Sequence, residues 1–194
     1  VLELFSRYAL EVCEGQQFDM DYEQRQDVHI DEYVEMIRLK TAVLLSCALQ
    51  VGAAIAGASV EEREHIGAYG EHLGLAFQLR DDLLDAFGDP GKVGKQVGGD
   101  LRAGKKTYLL IRGLELSLAA GRHALREELA KAPADRNVQR MLNVLEELGV
   151  RAEPEAEVHK HDAQAMAGLA ALNVPLERKT ALTQLAAALL QRTS

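Results

Sequence analysis

Asp81, Asp82 and Asp85 stand together in the run Phe77-Gln78-Leu79-Arg80-Asp81-Asp82-Leu83-Leu84-Asp85. On a helix, Asp81 and Asp85 lie one turn apart on a single face, with Asp82 about 100° around from them. Like charges at this spacing cost a helix roughly a few tenths of a kcal/mol, and carboxylates near a helix C-terminus also oppose its dipole. A divalent cation between the carboxylates removes both penalties. Mg²⁺ suits the pattern, because it takes one or two carboxylates, keeps several waters and completes its shell with phosphate oxygens. An isolated DDxxD also reads as a solvated acidic patch, so its surroundings decide. The aspartates are embedded among Phe77, Leu79, Leu83 and Leu84, and the stretch just downstream is rich in glycine and basic residues. Lys92, Lys95, Arg102, Lys105 and Lys106 are opposed there by a single acid, Asp100. Carboxylates followed by such a segment suit a metal-bridged diphosphate, with metal on one side and ammonium groups on the other. The Walker pattern GxxxxGK[ST] is absent.

The elements that must hold these residues read as helices throughout. Leu2 to Cys13 carries apolar residues at helical spacing, and a polar break is expected after Gly15, over Gln16 to Asp27. The next helix is expected over about 31–57, capped by Asp31. Ser59 and Glu62 form a capping box for a further helix ending near Phe87. Gly88, Pro90 and Gly91 break the pattern, and helix resumes near Gly104. Later helices are expected over about 122–131, 135–148, 152–172 and 176–192. Asp135 is the expected cap of the second, and Pro154 and Pro175 fit first-turn positions. Helices of this length, with no convincing strand, repeat or low-complexity linker, predict an all-α single domain over residues 1–194, built as a large antiparallel helical bundle.

Composition limits the function classes. Net charge is −8 and the pI about 5.3, which excludes a general nucleic-acid binder. An acidic protein that takes an anionic substrate must concentrate its positive charge locally. Cys13 and Cys47 form neither a zinc pattern nor a disulfide framework, so a reducing cytoplasm is the expected setting. Thr41 to Val60 carries no charged residue over 20 positions, the length of a membrane span. Its serines, glycines and many alanines, with no aromatic belt, point instead to a helix buried on all sides, so the chain is not expected to be transmembrane. The histidines, His159 and His161 among them, fall on polar faces and are assigned no role. The first residues read as mid-helix, and an upstream portion is expected to lie outside the chain.

FQLRDDLLDAFGD followed by GKQVGGDLRAGKKT resembles the second aspartate-rich motif and lysine loop of the trans-isoprenyl diphosphate synthases. EGQQFDMD (Glu14 to Asp21) resembles that family's G-Q-x-x-D segment, and RLKTA (Arg38 to Ala42) its K-T dipeptide. Four motifs in the family's order cover about residues 1–115, and the rest matches as further helices. The resemblance implies the isoprenoid-synthase bundle, Mg²⁺ as cofactor, and a homodimer. It also implies condensation of an allylic diphosphate with isopentenyl diphosphate. Asp81 and Asp85 would be direct Mg²⁺ ligands, with Asp82 ligating directly or one step removed. Lys40, Lys95 and Lys105 would contact diphosphate, and Thr41 and Gln78 would lie beside the reacting carbons. Gln16 and Asp19 would face the first metal site, and Phe77 would line the wall beside the isopentenyl group.

The family also needs a first DDxxD-like motif and basic ligands for isopentenyl diphosphate upstream. No second carboxylate cluster of that form occurs in this chain, which is therefore expected to be a C-terminal portion. A non-catalytic regulatory subunit of a heteromeric synthase is the main alternative. A terpene cyclase ranks lower, because its second motif is of another type, and a helical scaffold without activity explains none of the four motifs.

Overall fold

A computed structural model of the chain describes residues 1–89 and 97–190. These residues are helical, with no strand among them. In chain order the helices are α1 (Leu2–Gln24), α2 (Ile30–Ile37), a π-helical turn (Arg38–Ala42), α3 (Val43–Ile55) and α4 (Val60–Phe87). Then come α5 (Gly99–Ala103), α6 (Tyr108–Ala119), α7 (Ala124–Leu129), α8 (Val138–Glu147), α9 (Ala152–Ala171) and α10 (Leu176–Leu190). The Ser59–Glu62 box opens α4 as expected: Glu62 N donates to Ser59 Oγ at 3.2 Å, and Ser59 N to Glu62 Oε2 at 2.7 Å.

Two compact units are present. The first holds Val1–Met20, Val34–Gln78 and the chain from Glu157. Its core joins Ile66, Tyr69 and Leu73 of α4 to Ala165 and Leu169 of α9 and Ala186 of α10. The Tyr69 hydroxyl donates to the Leu182 carbonyl at 2.6 Å, so the ring buries its apolar body and still satisfies its polar end. A smaller cluster of Tyr8, Val43 and Cys47 fastens α1 to α3. The second unit holds Asp21–Tyr33 and Leu79–Ala156. Leu109, Leu110, Leu125, Met141 and Leu145, all fully buried, form its centre. Burying each such side chain contributes about 1.5–3 kcal/mol.

The expected break after Gly15 does not occur, since α1 continues to Gln24. Gly15 is there for proximity: a Cβ at this position would stand 2.3 Å from Lys40 N and 2.7 Å from the Leu39 carbonyl carbon. The missing side chain lets α1 meet the π-helical turn backbone to backbone. Gly74 does the same for α4, where a Cβ would lie 2.5 Å from Ala42 Cα. A glycine inside a helical pattern marks close packing here, not an end.

Other boundaries also move. Helix α2 starts at Ile30, with Asp31 in its first turn, and Glu32 Oε2 takes the His29 N–H at 2.9 Å. Asn137, not Asp135, caps α8 by accepting from Arg140 N at 3.0 Å, while Asp135 ends a 3₁₀ turn, Pro133–Asp135. Between α5 and α6 the chain pauses at Gly104 (φ +77°), and Thr107 Oγ1 caps α6. The stretch Ile30–Ile55 is long and apolar enough to cross a membrane by length and composition. It is not buried on all sides. Ala42, Val43, Ser46 and Cys47 are buried against α1 and α4, whereas Leu44 and Ile55 are 54% and 73% exposed.

Candidate functional site in two clusters

In the first unit, the chemistry-bearing residues gather at the π-helical turn. A wider turn inside a helix often marks a functional site. Lys40 is in it, and its Nζ lies 2.6 Å from Asp19 Oδ2 on α1. Thr41, next in the turn, donates its hydroxyl to Gln78 Oε1 on α4 at 3.2 Å. The fold therefore pairs Lys40 with Asp19 and Thr41 with Gln78, residues 21 and 37 apart in sequence. Gln16 is exposed on α1, and Phe77 is half-buried on α4.

The second unit holds the aspartates, at the C-terminal end of α4. Asp81 is exposed. Asp82 is 5% exposed and accepts the hydroxyl of Tyr33, itself 1% exposed. The Tyr33 ring sits edge-on to Tyr108, with centroids 6.2 Å apart. Burial, then the Asp82 charge, pushes the Tyr33 hydroxyl far above its ordinary range, so it stays a donor. Asp85 turns towards the next helix. Its Oδ2 accepts Asp100 N at 3.0 Å, and its carbonyl accepts Gly98 N at 2.6 Å. One carboxylate thus anchors the start of α5, and Lys105 Nζ stands 3.7 Å from Asp100 Oδ2. Lys95 lies outside the described residues.

These residues fit a hard divalent cation. Asp85 is pushed above the usual carboxylate range by burial first, and then by the charges of Asp100 and Asp81, against the lowering effect of its amide bonds. A like-charge group of oxygen donors is what Mg²⁺ relieves. Among the described residues, no three His, Cys, Asp or Glu side chains converge into a ready-made metal site. Asp81 and Asp85 can therefore supply part of a coordination shell, leaving the rest to phosphate oxygens and water, as Mg²⁺ prefers.

Sequence patterns did not single out Tyr33. A tyrosine heading an otherwise aliphatic stripe is a usable signal, because its buried hydroxyl needs an acceptor. The histidines also depart from expectation. His72 Nδ1 lies 3.1 Å from His161 Nδ1, joining α4 to α9, and His161 is only 8% exposed.

Comparisons with known proteins bear on the family and the fold. The family model described as polyprenyl synthetase matches residues 1–147. A short chain isoprenyl diphosphate synthase of Methanocaldococcus jannaschii is 45% identical over 115 residues, 59% of this chain and 35% of that protein. A (2E,6E)-farnesyl diphosphate synthase of Mycobacterium tuberculosis is 36% identical over 178 residues, 90% of this chain and 50% of the relative. Among solved structures, a geranylgeranyl pyrophosphate synthase superposes with TM-score 0.88 at 43% identity, covering 99% of this chain and 60% of that one. Another from Corynebacterium glutamicum, complexed with isoprenyl diphosphate and magnesium, gives TM-score 0.89 at 30% identity, covering 98% of this chain and 54% of that one. The chain spans about a third to a half of the length of these curated relatives. With its four motifs, its all-helical isoprenoid-synthase fold and a family match over most of its length, the chain belongs to the polyprenyl synthetase family.

Proposed function

We propose that this chain carries the second aspartate-rich half of a trans-prenyltransferase active site. The reaction condenses an allylic diphosphate with isopentenyl diphosphate. The allylic C–O bond breaks, diphosphate departs with the electron pair, the isopentenyl double bond attacks the allylic carbon, and loss of a proton leaves a longer trans-polyprenyl diphosphate. The observation that carries the reading is Asp85, which joins the aspartate helix to the lysine-bearing segment through the Asp100 amide.

Asp81 and Asp85 would hold Mg²⁺, which when bound would supply positive charge to stabilise a departing diphosphate. Asp82 is buried against Tyr33 and holds the end of α4 in place. Lys40, kept in position by Asp19, offers an ammonium to the allylic diphosphate. Lys95 and Lys105 are assigned the same role from their place in the motif. The Thr41–Gln78 pair presents fixed oxygen dipoles to positive charge developing on carbon, and fixed dipoles need no reorganisation at the moment of reaction. Gln16 assists on the diphosphate side, and Phe77 forms part of the wall beside the isopentenyl chain. Free thiols at Cys13 and Cys47 suit a cytoplasmic enzyme. A homodimer is proposed through α1, which exposes Leu2, Phe5 and Leu10.

The test is Mg²⁺-dependent condensation of labelled isopentenyl diphosphate with geranyl or farnesyl diphosphate. It is run on this chain and on a longer form joined to an upstream half. Product formation that Asp81→Ala abolishes supports the reading. Silence in both forms would favour a regulatory subunit without activity of its own.

A further inference from the structure

The second unit contains a polar cavity of about 520 Å³ that the aspartates do not line. Its walls include Glu23, Arg25, Lys106, Leu129, Arg126 and Arg136. The volume is in the range of small-ligand sites. Its charge is the reverse of the chain's: net charge overall is −8, yet among the described residues Glu23 is the only acid on a wall that carries four cations.

The four cations differ in what holds them. Arg25 is neutralised by Asp27 at 3.0 Å and Glu32 at 2.7 Å. Arg136 donates to the main-chain carbonyls of Arg102 at 2.7 Å, Leu129 at 3.1 Å and Lys131 at 3.3 Å. Those bonds fix the wall, but carbonyl dipoles do not cancel a full charge. Among the described residues, Lys106 Nζ reaches only the Gly104 carbonyl, at 3.5 Å. Its ammonium is pushed below the ordinary range by burial first and then by Arg136, with Glu23 opposing. Among the described residues, no carboxylate oxygen lies within 4.0 Å of the charged nitrogens of Lys106, Arg126 or Arg136. Uncompensated positive charge on a concave wall attracts anions. An ammonium beside a guanidinium suits phosphate oxygens, the first as a point charge and the second as a two-pronged donor.

We propose that this cavity binds a small phosphate-bearing anion through Lys106 and Arg126, independently of divalent metal and of the aspartate pair. The occupant is either a free anion such as diphosphate or the phosphate end of a larger molecule. Binding would relieve the repulsion between Lys106 and Arg136. The site does not rest on the condensation reaction and stands or falls separately.

The test is calorimetric titration in EDTA, with separate arms for inorganic phosphate, inorganic diphosphate and ADP. It is made on the chain and on any longer form that contains it. Saturable binding is expected in at least one arm, weakened about tenfold or more by Lys106→Ala and by Arg126→Ala. Lys106→Arg, which keeps the charge, should retain it, and Asp81→Ala should leave it unchanged. Tightest binding of diphosphate assigns a free anion, and tightest binding of ADP assigns the end of a larger ligand. No binding in any arm, or binding that survives both alanine variants, overturns the proposal. Thermal melting of each variant separates lost binding from lost folding. Failure of the condensation reading is seen elsewhere, in the Mg²⁺-dependent assay.

Discussion

Asp81 and Asp82 are neighbours in sequence with opposite fates, and burial is what divides them. Asp81 faces solvent, where a cation can reach it. Asp82 is enclosed, and its charge is tolerated because Tyr33 donates to it. Replacing Asp81 by Ala should lower kcat about 100-fold or more while leaving the melting temperature nearly unchanged, as steady-state kinetics and calorimetry would show. Tyr33→Phe keeps the ring and removes only the donor. A buried carboxylate losing such a bond should cost about 1–3 kcal/mol, measured by urea unfolding. The Mg²⁺ concentration for half-maximal activity should rise as the end of α4 loosens. An unchanged unfolding midpoint would show that Tyr33 does not hold Asp82.

At the scale of elements, the most informative position is Gly15. Any side chain there must displace Lys40's own backbone, which backs the turn carrying Lys40 and Thr41. Gly15→Ala should therefore destabilise by about 1–3 kcal/mol despite alanine's better helix propensity. It should also raise KM for the allylic substrate. A stabilised variant would show that the helices do not cross so closely.

Glu128 gives a second test, within the second unit. This buried carboxylate is held down to about 2 by Lys131, by the Asn137 N–H and by Arg140. A carboxyl lowered on folding stabilises above its unfolded value and loses that contribution as pH falls towards about 2. Unfolding followed between pH 5 and pH 2 should show the loss, and Glu128→Gln should flatten it. The helices were legible from periodicity, but Gly15 shows why their ends were not. The sequence pattern registers a missing side chain without showing whether another backbone fills the space.

At the scale of the molecule, the His72–His161 contact couples α4 to α9. Burial lowers both imidazoles, and for His161 the neighbouring His72 adds to it. Glu71 and Glu157 oppose these effects, while Lys160 reinforces them. With both rings lowered in the folded state, the unfolded chain binds more protons below about pH 6.5, so stability must fall as pH drops through that value. His72→Gln should make thermal stability less dependent on pH between 7 and 5. Equal slopes for the two proteins would remove the pair from the acid response. The exposed Leu2, Phe5 and Leu10 of α1 predict self-association, and Phe5→Glu should shift the sedimentation coefficient towards the monomer.

By itself, the sequence determined what local chemistry can encode. Helical periodicity, the Ser59–Glu62 cap and the one-turn spacing of Asp81 and Asp85 all depend on neighbours within a few residues. The four motifs that mark the family are likewise short and ordered along the chain. Only the tertiary structure decided which residues meet across long separations. Tyr33 found Asp82, Lys40 found Asp19, His72 found His161, and basic residues converged on a cavity that the aspartates do not line. The physical reason is that helical periodicity fixes which face a side chain occupies, whereas the partner of that face is chosen by packing.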